Sequence, residues 1–140
     1  MLRKSTAADL DRVHELISAL VGHELDYDTF AQIYKEQLND NDYYCLLGEL
    51  DGRVCGVLNM RFDRQLHHGG NVAEVLEFFI TPDVRSQGTG ARMLEAAEAI
   101  AKEHQCVLIE VTSRNIRVDA HRFYMREGME HTHAKFVKEF

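Results

Sequence analysis

Leu10, Val13, Ile17, Leu20 and Val21 recur at the three- and four-residue spacing that lines one face of a helix. Ser5-Thr6-Ala7-Ala8-Asp9 offers an N-cap ahead of them, so the pattern predicts a helix over residues 7–21. Phe30, Ile33, Tyr34 and Leu38 repeat the spacing after Asp26 to Asp28, giving a second helix that ends near Asn39-Asp40-Asn41. The chain then changes period. Residues 43–50 and 53–61 are rich in aromatic and aliphatic side chains and are separated by Asp51-Gly52, a two-residue hairpin signal. Residues 71–80 read as a third long strand, reached through the polar stretch Gln65-Leu66-His67-His68-Gly69-Gly70.

Beyond Thr81-Pro82, the residues Met93, Leu94, Ala97, Ile100 and Ala101 trace one face of a helix that runs to about Glu103 and starts at Gly88 and Gly90. Residues 107–112 form a nearly continuous apolar run of strand type, so strand, helix and strand imply a right-handed parallel crossover. A last short helix is expected over 118–127, stopped by Gly128, and a terminal strand over 136–140. No internal repeat or low-complexity segment interrupts this order. The expected architecture is α/β with a mixed sheet, in one domain spanning residues 1–140.

Composition narrows what such a fold serves. Sixteen basic against twenty-three acidic residues give a net charge of -7, the wrong sign for displacing counterions from nucleic acid. An anionic ligand would need donors concentrated in one place, because the overall field opposes it. Cys45, Cys55 and Cys106 are odd in number and widely spaced, which makes neither a disulfide framework nor a metal pattern. With no apolar leading segment and no transmembrane-length run, a cytoplasmic location and no membrane partner are expected.

Gly88 and Gly90 open a helix after a strand, where backbone N–H groups lack intrahelical partners and glycine lets a ligand approach closely. Such a place binds anions, although two glycines also suit a plain strand-to-helix turn. A Walker loop would need Gly-Lys-Ser or Gly-Lys-Thr, and a dinucleotide fingerprint a third glycine. This sequence has neither, which argues against ATP and NAD.

The order Arg85-x-x-Gly88-x-Gly90 after an apolar strand and Thr81-Pro82, with Phe123-Tyr124-x-x-x-Gly128-Met129 downstream, resembles the GNAT superfamily of N-acetyltransferases. The resemblance implies acetyl-CoA as donor and a mixed, mostly antiparallel sheet, with a central splayed parallel strand pair, flanked by helices. It places the coenzyme's pyrophosphate on Arg85, Ser86, Gln87, Gly88, Thr89, Gly90 and Ala91. The pantetheine arm would fill the gap between strands 71–80 and 107–112, meeting main-chain groups of Phe79, Ile80 and Thr81. A backbone N–H near Phe79 or Ile80 would bond the thioester carbonyl. Asn115 matches a polar residue that touches pantetheine in this family, or it caps the helix that follows. More narrowly, Leu66-His67-His68, Glu74-x-x-Glu77 and the run from Asp119 to Gly128 resemble the aminoalkylphosphonate N-acetyltransferases.

Acetyl transfer to an amine needs a neutral amine, a polarised carbonyl and a proton for the departing thiolate. Tyr124 matches the family's acid, since a phenol of reference pKa about 10 is protonated at neutral pH. Glu77 lies among Val75, Leu76, Phe78 and Phe79, where burial would raise its pKa toward that of a useful base acting directly or through water. Glu74 falls on the opposite face of an unbroken strand; a β-bulge, usual in this family's central strand, would bring the two carboxylates nearer. Glu74 would otherwise be an ion-pair partner.

His67 and His68, just ahead of that strand, are candidates to line the acceptor pocket, and Arg61 or Arg64 to meet an anionic acceptor. The histidine spacing, including His131 and His133 on one face of an expected strand, is not a zinc signature, and no metal is expected. The expected substrate is a small-molecule primary amine, foremost an aminoalkylphosphonate, with a polyamine, amino acid or amino sugar as alternatives. A CoA-binding sensor without catalysis is the rival from another class. A homodimer is the expected assembly if one forms.

Overall fold

A computed structural model describes residues 1–140, which divide into two compact units, Met1–Glu110 and Val111–Phe140. The first unit begins with β1 (Leu2–Lys4), which pattern analysis misses because three residues are too few to show alternation. It forms by pairing: Leu2 lies opposite Gly48 and Lys4 opposite Leu46 of β2 (Tyr43–Leu50). A 3-10 turn at Ala7–Asp9 precedes α1 (Leu10–Val21), so the predicted first helix splits into two pieces. Asp9 sets this start. It accepts from the Thr6 amide at 2.8 Å and takes a two-pronged ion pair from Arg3, which holds its carboxyl down to about 2. Asp26 caps α2 (Tyr27–Leu38) by accepting from the Thr29 amide at 2.9 Å.

Asp51 and Gly52 both take positive φ, as a two-residue hairpin demands, and join β2 to β3 (Arg53–Gln65). β3 runs four residues beyond the predicted end at 61, because Asp63 and Arg64 are carried by pairing with Val72 and Asn71 of β4 (Gly70–Ile80). The polar stretch between the two strands shrinks to a 3-10 turn at Leu66–His68. After a further turn at Pro82–Val84 come α3 (Thr89–Glu103) and β5 (Cys106–Val111). The sheet order is β1-β2-β3-β4-β5, with β5 parallel to β4 and the other neighbours antiparallel. β4 meets β5 over a far shorter stretch than it meets β3, as a splayed pair must.

Two faces of the sheet carry different work. On one, Leu47, Val57 and Phe79 pack against Val13, Leu16, Ile17 and Tyr34 of the two early helices. Burying each such aliphatic side chain contributes about 1.5–3 kcal/mol. On the other lie Leu46, Leu58 and Met60 with Met93 and Leu94 of α3. Helix α3 sits so close that a Cβ on Gly56 would fall 2.6 Å from the Met93 sulfur and 2.8 Å from Ile80 Cδ1. Glycine there brings α3 onto the strand that pairs with β4.

The second unit holds α4 (Val118–Arg126), entered through a turn in which the Arg117 amide donates to Arg114 O at 3.0 Å. His121 Nε2 donates to the same carbonyl at 2.9 Å. The predicted terminal strand is absent: residues 129–140 form neither helix nor strand, and Phe136 and Phe140 are exposed. A strand exists through its ladder, and no ladder includes these residues, so a few apolar side chains alone do not make one. His131 and His133 therefore do not share a strand face.

Candidate active site

The register between β3 and β4 steps from Asn59 opposite Glu77 to Met60 opposite Val75, leaving Leu76 as an extra residue. This is the β-bulge, and it decides the geometry of the two carboxylates. Three residues apart in a flat strand, Glu74 and Glu77 would point to opposite faces. Their partners Arg61 and Asn59 are two apart on β3, so the bulge brings both carboxylates to the face that carries α1 and α2.

Their surroundings differ. Glu74 Oε2 accepts from Arg61 Nη2 at 2.9 Å, and Asp63 lies 3.9 Å from the same nitrogen. Glu77 Oε2 accepts from the neutral Asn59 amide at 2.9 Å, and that amide also donates to Gln37 Oε1 of α2 at 3.1 Å. Burial pushes the Glu77 carboxyl above its ordinary value, and the Asn59 hydrogen bond only partly opposes it. Such a carboxylate is a stronger proton acceptor than an exposed one. Asn59 and Gln37 were not singled out in the sequence. The available signal was a polar residue inside the apolar run Val57-Leu58-Asn59-Met60, where Asn59 is only 6% exposed.

Glu77 and Asn59 border a cavity of about 230 Å³ between α1, α2 and the sheet. Its lining includes neither Arg61 nor Glu74, which neutralise each other beside it, nor His67 and His68. Those two rings sit in the turn at Leu66–His68 with centroids 4.0 Å apart, His67 exposed and His68 Nδ1 donating to Gln65 Oε1 at 2.7 Å. No three His, Cys, Asp or Glu side chains form a group that could hold a metal ion.

At the far end of β4 the main chain divides its duties. The Thr81 amide donates to Cys55 O at 2.8 Å, so Thr81 and, two residues earlier, Phe79 turn their main-chain groups toward β3. Ile80, between them, turns its own toward the β5 side, and its carbonyl accepts from Arg85 Nε at 3.0 Å. The Arg85 guanidinium also lies 5.3 Å over the Phe79 ring. Ser86 and Gly88 take φ of +69° and +79°, and Gly88 is the N-cap of α3. The amides of Thr89, Gly90 and Ala91 thus point out of the helix start, with no acidic residue in the first turn. Arg92 straps the loop, donating to Gln87 O at 3.2 Å and Thr89 Oγ1 at 3.3 Å, and adds a cation that the sequence pattern did not single out. In a chain of net charge -7, this concentrates the donors an anion needs.

In the second unit, Tyr124 lies on α4 beside Phe123, their ring centroids 5.4 Å apart. Burial pushes its phenol above the ordinary value, with Arg117 acting in the opposite direction. Asn115 lies in the turn before α4; the N-cap position belongs to Arg117, so Asn115 does not cap that helix. Asp119 and Arg122 pair at 3.4 Å on the exposed surface of α4.

The sequence pattern of the Acetyltransferase (GNAT) family matches residues 10–129. The chain belongs to the GNAT acetyltransferase family. A curated aminoalkylphosphonate N-acetyltransferase of Salmonella typhimurium is 35% identical over 137 residues, covering 98% of this chain and 89% of the relative. Among solved structures, a transcriptional regulator from Bacillus halodurans superposes with a TM-score of 0.91 at 23% identity, covering 100% of this chain and 99% of its own. An aminoglycoside N-acetyltransferase solved with CoA superposes with a TM-score of 0.84 at 14% identity, covering 100% and 98%. These structural likenesses show the fold.

As a GNAT N-acetyltransferase, the protein uses acetyl-CoA as its donor. No helix is long and apolar enough to cross a membrane. At Gly88 a side chain is unwelcome twice over. Left-handed backbone costs a non-glycine residue about 1–2 kcal/mol, and a Cβ would lie 3.2 Å from Arg92 Nη1. The Gly88→Val variant is expected to bind CoA at least about tenfold more weakly by calorimetry, the equivalent of about 1.4 kcal/mol, while retaining its helical circular dichroism. Unchanged CoA affinity would remove this loop from the donor site.

Proposed function

We propose that this enzyme transfers the acetyl group of acetyl-CoA to the primary amine of an aminoalkylphosphonate. The observation that carries the acceptor is the 35% identity with the Salmonella enzyme across 98% of the chain. In this reaction the amine nitrogen bonds the acetyl carbon as the carbon–sulfur bond breaks. Glu77 takes the proton that the nitrogen gives up, directly or through water, and Tyr124 gives one to the departing CoA sulfur. Asn59 and Gln37 fix the carboxylate in place.

The loop from Arg85 to Ala91 holds the pyrophosphate, and Asn115 touches the pantetheine arm; of Phe79, Ile80 and Thr81, only Ile80 turns its main chain toward that arm, since Phe79 and Thr81 give theirs to β3. Of the acceptor-side candidates, Arg61 is already held by Glu74 with Asp63 nearby, a cluster with no surplus positive charge. A phosphonate is served better by the imidazoles of His67 and His68.

Thiol release measured with 1-aminoethylphosphonate, 2-aminoethylphosphonate, the corresponding amino acids, a polyamine and an amino sugar tests the acceptor. The phosphonates are expected to exceed each alternative by tenfold or more in kcat/KM. Turnover of another amine class without turnover of either phosphonate sinks this acceptor and leaves the family unaffected.

A further inference from the structure

The cavity beside Glu77 has two unlike parts. At one end Gln37, Asn59 and Glu77 form a hydrogen-bonded chain; the walls are hydrocarbon from both helices, including Val13, Ile17 and Phe30. Lys4 also borders it, but as a cation it is absent. Lys4 pairs with Leu46, whose side chain faces α3, and its ammonium lies 5.1 Å from the Tyr44 ring on that same face. Lys4 therefore lends main chain to the cavity, and Glu77 is the one charged side chain turned into it.

A phosphonate placed inside would confront that carboxylate with no cation to offset it, and a second ammonium would be stripped of water by the walls. A neutral hydrocarbon chain meets neither objection. The space also has an apolar mouth, since Val21 and Ile33 in its lining are 46% and 49% exposed. Packed interiors leave few voids larger than a water molecule, so an open gap of about 230 Å³ ending on a buried carboxylate is the shape of a binding pocket. At about 230 Å³ it falls below the roughly 300 Å³ of ordinary ligand pockets and has room for a short chain.

We infer that this cavity binds the alkyl substituent on the acceptor's amine-bearing carbon, with the phosphonate held outside it, so that the enzyme selects acceptors by hydrocarbon length. The inference rests on the role proposed for Glu77. Burial of each methylene is worth about fourfold in affinity. At saturating acetyl-CoA, kcat/KM should rise by about that factor per carbon from aminomethylphosphonate through 1-aminoethyl-, 1-aminopropyl- and 1-aminobutylphosphonate, until the space is filled. Ile33→Trp narrows the mouth at a half-exposed position, and the slope of log kcat/KM against carbon number should flatten whatever the absolute rate.

A flat or falling series in the parent, or an unaltered slope in Ile33→Trp, overturns the pocket. If no phosphonate is acetylated, the same series is run with n-alkylamines. A rising slope there supports the pocket and removes the phosphonate acceptor, while a flat one overturns the pocket. Should nothing be acetylated, the melting-temperature shift caused by n-propyl- to n-hexylamine decides. A shift growing with chain length in the parent and not in Ile33→Trp supports the pocket, and no such growth overturns it.

Discussion

Glu77→Gln is expected to lower kcat by about 10²–10⁴-fold, the range over which a positioned base acts, while leaving the affinity for CoA unchanged. The pH profile separates this from a structural loss. Only the carboxylate accepts a proton, so kcat/KM of the parent falls as pH drops through the Glu77 pKa. Burial has moved that pKa upward, and the acidic limb accordingly lies above the ordinary carboxylate range. In the variant the limb disappears.

Stability runs the other way. A carboxyl whose folded pKa is raised above its unfolded one contributes stability that is fully present below the unfolded pKa and is lost as pH rises through the folded pKa. At neutral pH the parent therefore keeps a charge that burial disfavours, and glutamine can still offer an oxygen to the Asn59 amide. The variant should melt no lower than the parent at pH 8. A kcat within threefold of the parent, or an acidic limb that survives the substitution, removes Glu77 from the base role.

What could be seen in the sequence was what local periodicity and turn chemistry encode. Asp51-Gly52 announced a hairpin because its two residues tolerate the backbone that such a turn needs, and Gly88 announced a helix start because a left-handed cap favours glycine. Glu77 stood out as a charge inside an apolar run. Hidden were the features that arise when distant segments meet. β1 exists through β2, and Asn59 matters through Gln37 on one side and Glu77 on the other. Arg92 joins the loop by reaching back one helical turn to Gln87 and Thr89.

The bulge at Leu76 is a defect of register: the family resemblance suggested one between Glu74 and Glu77, but only β3 supplies the count that locates it. The failed strand at 136–140 is the converse: its apolar residues suggested a strand, but no ladder took them up. The cavity shows the same limit. Its lining comes from six separate elements, and the sign of its interior depends on Lys4 turning to the other face, which a single strand of three residues cannot reveal.

Tyr124→Phe should separate chemistry from donor binding. The ring and its contact with Phe123 are kept, so the CoA dissociation constant is expected to stay within about twofold, whereas kcat should fall by about 10²-fold or more as the proton for the sulfur is lost. Burial acts on this phenol in two ways. It weakens the acid, since a higher pKa makes the proton harder to give, and it keeps the acid loaded, because the active form is the protonated one. The second effect moves the alkaline limb of kcat upward, beyond the range of an exposed phenol. The first requires the proton to travel as the carbon–sulfur bond breaks, when charge on sulfur is developing and the transfer is driven. Phenylalanine should then abolish the alkaline limb together with most of the rate, and a weaker leaving group should suffer more from the substitution than a stronger one. If kcat survives and the limb remains, the proton reaches the sulfur by another route and Tyr124 serves packing alone.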